Sequence, residues 1–196
     1  MPNDNSCLTL ITASLLIDCD NRDIGFVQER AILINYEHID RALTTLDGVN
    51  PKIITDLVLT GANTGFVVEG IKTSNSALAE IVYSNENHTK WRHSYGGRIY
   101  NLTAATRRQI DLIAGGRFVA VLDKKWTGED GESGFIVLGF GRGLELIEGS
   151  ENTNENDGSF TFRLASVDEA LESEGFKIYL DTDRATSQTV FENLFS

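Results

Sequence analysis

The stretch Leu102-Thr103-Ala104-Ala105-Thr106-Arg107-Arg108-Gln109-Ile110-Asp111-Leu112-Ile113-Ala114-Gly115-Gly116 carries the clearest helix signal in the chain. Thr103 is a favourable N-cap, because its hydroxyl can accept from the unpaired backbone N–H groups of the first turn. Ile110, Ile113 and Ala114 recur at helical spacing and make one apolar stripe. Gly115 is placed for the left-handed conformation that ends many helices. Two strand-like runs follow, Arg117-Phe-Val-Ala-Val-Leu-Asp123 and Gly134-Phe-Ile-Val-Leu-Gly139, on either side of an acidic, glycine-bearing loop at 127–133. The middle of the chain therefore reads as a helix over 103–115 laid against a hairpin.

The flanking sequence adds strands on both sides. Residues 7–19 and 26–36 hold apolar runs around the polar turn Asp20-Asn21-Arg22-Asp23. Residues 37–51 read as a loop with a short helical turn at 39–43. Residues 52–60 and 64–72 suggest a hairpin around Gly61-Ala62-Asn63. Residues 77–83 and 95–102 are strands that flank a polar tip at 84–94. Beyond the central hairpin, 143–148 continues as strand and 149–159 is an acidic turn. Phe160-Thr-Phe-Arg-Leu164 alternates cleanly. Residues 168–174 are an acidic loop, 176–180 a last strand and 185–195 a short terminal helix. Roughly ten short strands with regular turn signals predict a mainly β chain, one domain over 1–196. The expected architecture is a β-sandwich or open barrel of two packed antiparallel sheets with one flanking helix.

Charge narrows the function. The chain of 196 residues carries 17 basic and 29 acidic side chains, a net −12, which suits it poorly to gripping nucleic acid. The imbalance is uneven: residues 88–126 hold 8 basic and 2 acidic groups, whereas 127–196 hold 4 and 15. A basic surface of one copy meeting an acidic surface of the next is the association this pattern invites. Cys7 and Cys19 read as free thiols, and the histidines are not spaced with them for a metal site. The N-terminus lacks a basic region ahead of its apolar run 8–17, so the expectation is a protein made in the cytoplasm, with no membrane span.

Motifs that suggest chemistry fail on spacing. Gly139-Phe140-Gly141-Arg142-Gly143 is followed by a strand-like run, whereas a phosphate-binding glycine loop opens a helix, so a tight bend is expected. The acidic run 151–158 does not have calcium-loop spacing. No serine sits in a nucleophile elbow and no carboxylate pair stands out, so the chain is read as no enzyme, with no cofactor or metal. Trp91, Arg92, His93 and Tyr95 form a polar–aromatic cluster of the kind that dominates protein–protein contacts.

Several segments, in order, resemble one family. They are Cys7-Leu-Thr-Leu10, Asp18-Cys-Asp-Asn-Arg-Asp-Ile-Gly25, and Asn35-Tyr36 closing a strand. Then come Ala104-Ala-Thr-Arg-Arg-Gln109, Gly116-Arg-Phe-Val-Ala-Val-Leu-Asp123, Leu138-Gly-Phe-Gly-Arg-Gly-Leu-Glu-Leu146 and Phe160-Thr-Phe-Arg-Leu164. Together they resemble the tail tube proteins of tailed bacteriophages that infect Bacteroidetes. The resemblance implies a virion structural protein with no catalytic role. Six subunits would form a ring, and rings would stack head to tail into a conduit for DNA. A tail terminator and a tape measure protein would be further partners, and DNA would pass without specific binding. It also implies that the loop 36–52, with His38 and Arg41, and the tip 84–94, with Trp91, Arg92, His93 and adjacent Tyr95, contact neighbours. Glu69 and Glu80, each in an expected strand, are candidates to face the lumen. An acidic lumen would let a polyanion slide without adsorbing.

Two alternatives stay open. One is a tail terminator or connector ring of similar fold. The other is a soluble β-sandwich binding module, for which Trp91 and Trp126 could offer a sugar platform.

Overall fold

The strand 117–124 is the junction of the molecule. The computed structural model describes residues 27–71, 74–83, 89–125, 127, 131, 133–152, 154 and 158–194. The apolar run 8–17, Cys7, Cys19, Trp126 and residues 84–88 of the expected tip lie outside them. Strand β7 (Arg117–Lys124) pairs along one edge with β1 (Val27–Asn35). Its other edge is shared: Arg117 and Phe118 pair with β9 (Leu144–Glu151), and residues 120–123 pair with β8 (Phe135–Leu138). The sheet therefore forks at β7. One branch runs through β8, β11 (Lys177–Tyr179), β3 (Ile53–Asp56) and β2 (Thr45–Leu46). The other runs through β9, β10 (Phe160–Ala165), β6 (Lys90–Ile99) and β5 (Ser76–Val82). A short strand, β4 (Phe66–Glu69), lies outside β1. Every pairing is antiparallel except β3 with β11.

The branches pack as two layers. Between them lie Leu33, Phe118, Leu122, Ile136 and Leu138 from the first layer, and Tyr95, Leu144, Phe160, Phe162 and Leu164 from the second. The other face of the first layer carries Ile32, Ile34, Val119, Val121, Phe135, Val137 and Tyr179. Phe191 of the terminal helix α2 (Arg184–Asn193) and Leu194 beyond it cover that face. This explains why β7, β8 and the part of β1 from Ala31 to Ile34 are nearly continuous apolar runs: successive side chains point to opposite faces, and both faces are buried. Each fully buried Val, Leu, Ile or Phe contributes about 1.5–3 kcal/mol, so these three strands dominate the stability.

The flanking helix α1 (Ala104–Gly115) starts where the sequence places it, with Thr106 N–H donating to the Thr103 hydroxyl at 3.2 Å. Ile110 and Ile113 rest half-buried on the rim of the core between the layers, and Ala114 of the same stripe is exposed. Its end is not the expected left-handed glycine at 115. Gly116 is the C-cap and is extended (φ −100°, ψ 168°), because β7 starts at the next residue and the chain must leave the helix straight. A Cβ at Gly116 would stand 2.4 Å from the Phe118 ring.

The chain is mainly β with a flanking helix and a short terminal helix, as its sequence indicates; that the two layers are branches of one hydrogen-bonded sheet emerges from long-range pairing. Two local expectations are corrected. Residues 52–60 and 64–72 do not form a hairpin. The turn at Gly61 exists (φ +60°), yet β3 pairs with β2 and β11, and β4 pairs with β1. The segment between them pairs back to 38–40, with Thr60 N–H donating to the His38 carbonyl and Asp40 N–H to that of Val58. The expected tip at 84–94 is also shorter, because β6 already begins at Lys90. No helix among the described residues is long and apolar enough to cross a membrane.

Candidate functional site

The aromatic cluster 91–95 belongs to a strand, and strand geometry divides it. Trp91, His93 and Tyr95 point one way, and Arg92 the other. Tyr95 is fully buried, its hydroxyl donating to Asn75 at 3.0 Å, and the Asn75 amide donates in turn to the carbonyls of Gln28 and Glu29. Burial pushes the Tyr95 hydroxyl far above the usual phenol range. His93 is 3% exposed. Its Nδ1 accepts from Gly139 N–H at 3.2 Å and its Nε2 faces the Glu174 carbonyl at 3.0 Å. An N–H can only donate and a carbonyl can only accept, so these partners select the neutral ring protonated on Nε2. Burial lowers its pKa to about 4. His93 and Tyr95 are thus buried in the core of the subunit. Arg92 remains at the surface, paired with Glu80 at 3.3 Å and with Asp168. Trp91 is half-buried, its ring against Gly175 and its backbone paired with Glu172.

The glycine turn between β8 and β9 is a bend, with Gly139 and Gly143 both at positive φ. Successive backbone N–H groups in such a bend form a cradle for an anion. The anion here is the chain's own Glu172. Its carboxylate accepts from Gly141 N–H at 3.1 Å and Arg142 N–H at 2.7 Å, and the residue is 3% exposed. Burial holds its pKa above the ordinary value, against the pull of these backbone donors.

Beside this turn sits a second cluster from the loop 36–52. The guanidinium groups of Arg41 and Arg117 each lie 4.0 Å from the centre of the Tyr36 ring. Tyr36 donates its hydroxyl to the Gly141 carbonyl at 2.6 Å. Arg41 donates to the carbonyls of Tyr36 at 3.1 Å and Phe140 at 3.0 Å. Arg41 therefore braces its own loop against the glycine turn while staying exposed. His38 is half-buried, its Nδ1 3.5 Å from the Asn35 amide and its carbonyl held by Thr60. The expected helical turn at 39–43 is a single turn after Asp40, whose carboxylate accepts from the N–H groups of Ala42 and Leu43.

The two acids expected at a lumen are not brought together. Glu69 lies in the first layer, 3.2 Å from Arg30; Glu80 lies in the second, against Arg92. Among the described residues no three His, Cys, Asp or Glu side chains group to hold a metal ion. Among these residues no strand pairs with the outer edge of β5 or that of β4. Around β5, Leu78, Ile81 and Tyr83 are 48%, 59% and 82% exposed.

Sequence reasoning missed Glu172, Tyr36, Arg117 and the β5 edge. A signal existed only for β6: the alternation of Lys90, Arg92 and Ser94 with Trp91, His93 and Tyr95 has strand period. Comparison with protein-family models, with curated proteins and with solved structures finds no match.

Proposed function

We propose that this protein is a structural, self-assembling subunit of a phage tail tube, forming stacked rings around a channel for DNA. The observation that carries the reading is the free edge of β5. Among the described residues no strand pairs with the outer side of this seven-residue strand, which lies beside exposed Leu78, Ile81 and Tyr83. An open edge of this kind is a hazard in a solitary protein and a template for pairing in an assembly. The family resemblance of the sequence supplies the kind of assembly, a ring of six in a virion tail, with terminator and tape measure proteins as further partners. The net charge of −12 suits a wall that DNA must pass without adhering. Because Glu69 and Glu80 lie in different layers, the lumen face is not defined by that pair.

Sedimentation velocity across a wide concentration range tests the proposal. Concentration-dependent growth to rings and longer stacks is expected. A single ring that never stacks would replace the tube with a terminator or connector, and a monomer at every concentration would favour the binding-module reading.

A further inference from the structure

An apolar groove of about 950 Å³ lies between α1 and the outer edge of β4. Its walls include Leu33, Phe66, Val68, Ile99, Ile113 and Phe118. It opens into the core between the layers, and its rim leaves Phe66 52% and Leu112 60% exposed. We propose that the groove and the β4 edge are the docking site of this chain's own segment Leu8-Thr-Leu-Ile-Thr-Ala-Ser-Leu-Leu-Ile17, added in extended form as a further strand. The inference does not depend on tube assembly.

Three observations select this occupant. The segment is uncharged and mostly apolar, and Ile11, Ala13, Leu15 and Ile17 would share one face of a strand. It cannot pair directly with β1, the strand it precedes, because β4 and β7 already take both edges of β1. The next edge outward is β4, and the chain arrives beside it. Gly70 N–H donates to the Glu29 carbonyl at 2.6 Å, so the start of β1 lies at the Glu69 end of β4. Crossing β4 from β1 takes about 10 Å, two strand spacings. The nine residues 18–26 can span up to about 30 Å. The segment would run parallel to β4, its start beside α1 and its end near Glu69. A tether this short gives the segment an effective concentration on the order of millimolar, which favours the chain's own groove over another copy's.

Hydrogen exchange on the full-length chain tests this, comparing wild type with the double variant Ile11→Asp and Leu15→Asp at a dilution where both are monomeric. In wild type, amides of 8–17 and 66–69 are expected to exchange at least a hundredfold more slowly than in a free chain. In the variant, that protection should fall tenfold or more, with β6 and β10 unchanged. Exchange of 8–17 at the free-chain rate in the wild-type monomer overturns the proposal. So does β4 protection that ignores the substitutions, or protection that appears only at concentrations where copies associate, which would make the occupant a second copy. If the variant also loses protection in β6 and β10, a cross-link decides. Leu112→Cys is joined to native Cys7 by a short bis-maleimide in a Cys19→Ser chain. An intramolecular product supports docking in cis, and its absence, or an intermolecular product alone, contradicts it.

Discussion

At the scale of single residues, Glu172 shows how a motif can be present and already filled. The glycine bend 139–143 has the backbone donors of an anion cradle, and a carboxylate from the same chain occupies it. Gly141 is needed for closeness, since a Cβ there would stand 2.5 Å from a Glu172 oxygen. Glu172→Ala and Gly141→Ala are each expected to cost about 1–3 kcal/mol in denaturant unfolding, because buried backbone donors lose their acceptor. Nothing in the acidic stretch from Asp168 to Glu174 marks Glu172 apart from its neighbours, since its role depends on a turn 30 residues away. His93 gives a pH signature. The folded ring stays neutral to about pH 4, whereas an unfolded chain binds a proton near its ordinary value of 6.5. The unfolded state therefore binds more protons between those values, and stability falls as pH drops from about 6.5 to about 4. The loss is about 3 kcal/mol at most. Glu172 works oppositely, since its raised pKa adds stability as pH falls through the acid range. The discriminating readout is the difference between wild type and His93→Gln in unfolding free energy against pH. The slope that disappears in the variant belongs to His93.

At the scale of elements, what was legible in the sequence was local. The Thr103 cap, the apolar runs of β7 and β8 and the glycine bend are decided by neighbours within a few residues, and the sequence displays them. The pairing of β4 with β1 and the parallel pairing of β11 with β3 join distant segments, and local turn signals point elsewhere. Depth is also invisible locally: α1 has the clearest pattern, yet none of its side chains is fully buried. Thr103→Ala is therefore expected to lower stability by only about 1 kcal/mol. Leu122→Ala, in a strand buried on both faces, should cost about 2–5 kcal/mol. Thermal or denaturant melts separate the two. The β5 edge should behave differently again. Leu78→Lys with Ile81→Lys should leave circular dichroism unchanged, shift stability by less than about 1 kcal/mol and abolish association, since a lysine on an open edge blocks pairing. Intact association would remove β5 from the contact.

At the scale of the molecule, the change of charge sign along the chain is partly used up inside the subunit. Arg107 of α1 pairs with Glu151 of β9, and Arg92 of β6 pairs with Asp168. Charge alone is therefore a weaker reason for head-to-tail association than the sequence pattern implies, and the β5 edge is a stronger one. A forked sheet has this consequence by construction: each branch must end, and among the described residues β5 ends its branch as a seven-residue strand with Ser76, Leu78 and Ile81 exposed. Electron microscopy of the purified full-length protein is the most direct test that such edges build a tube. Rings with a central hole, stacking into hollow tubes at high concentration, are expected. Monodisperse particles of single-subunit size under every condition, with or without a nucleating tail partner, would contradict it.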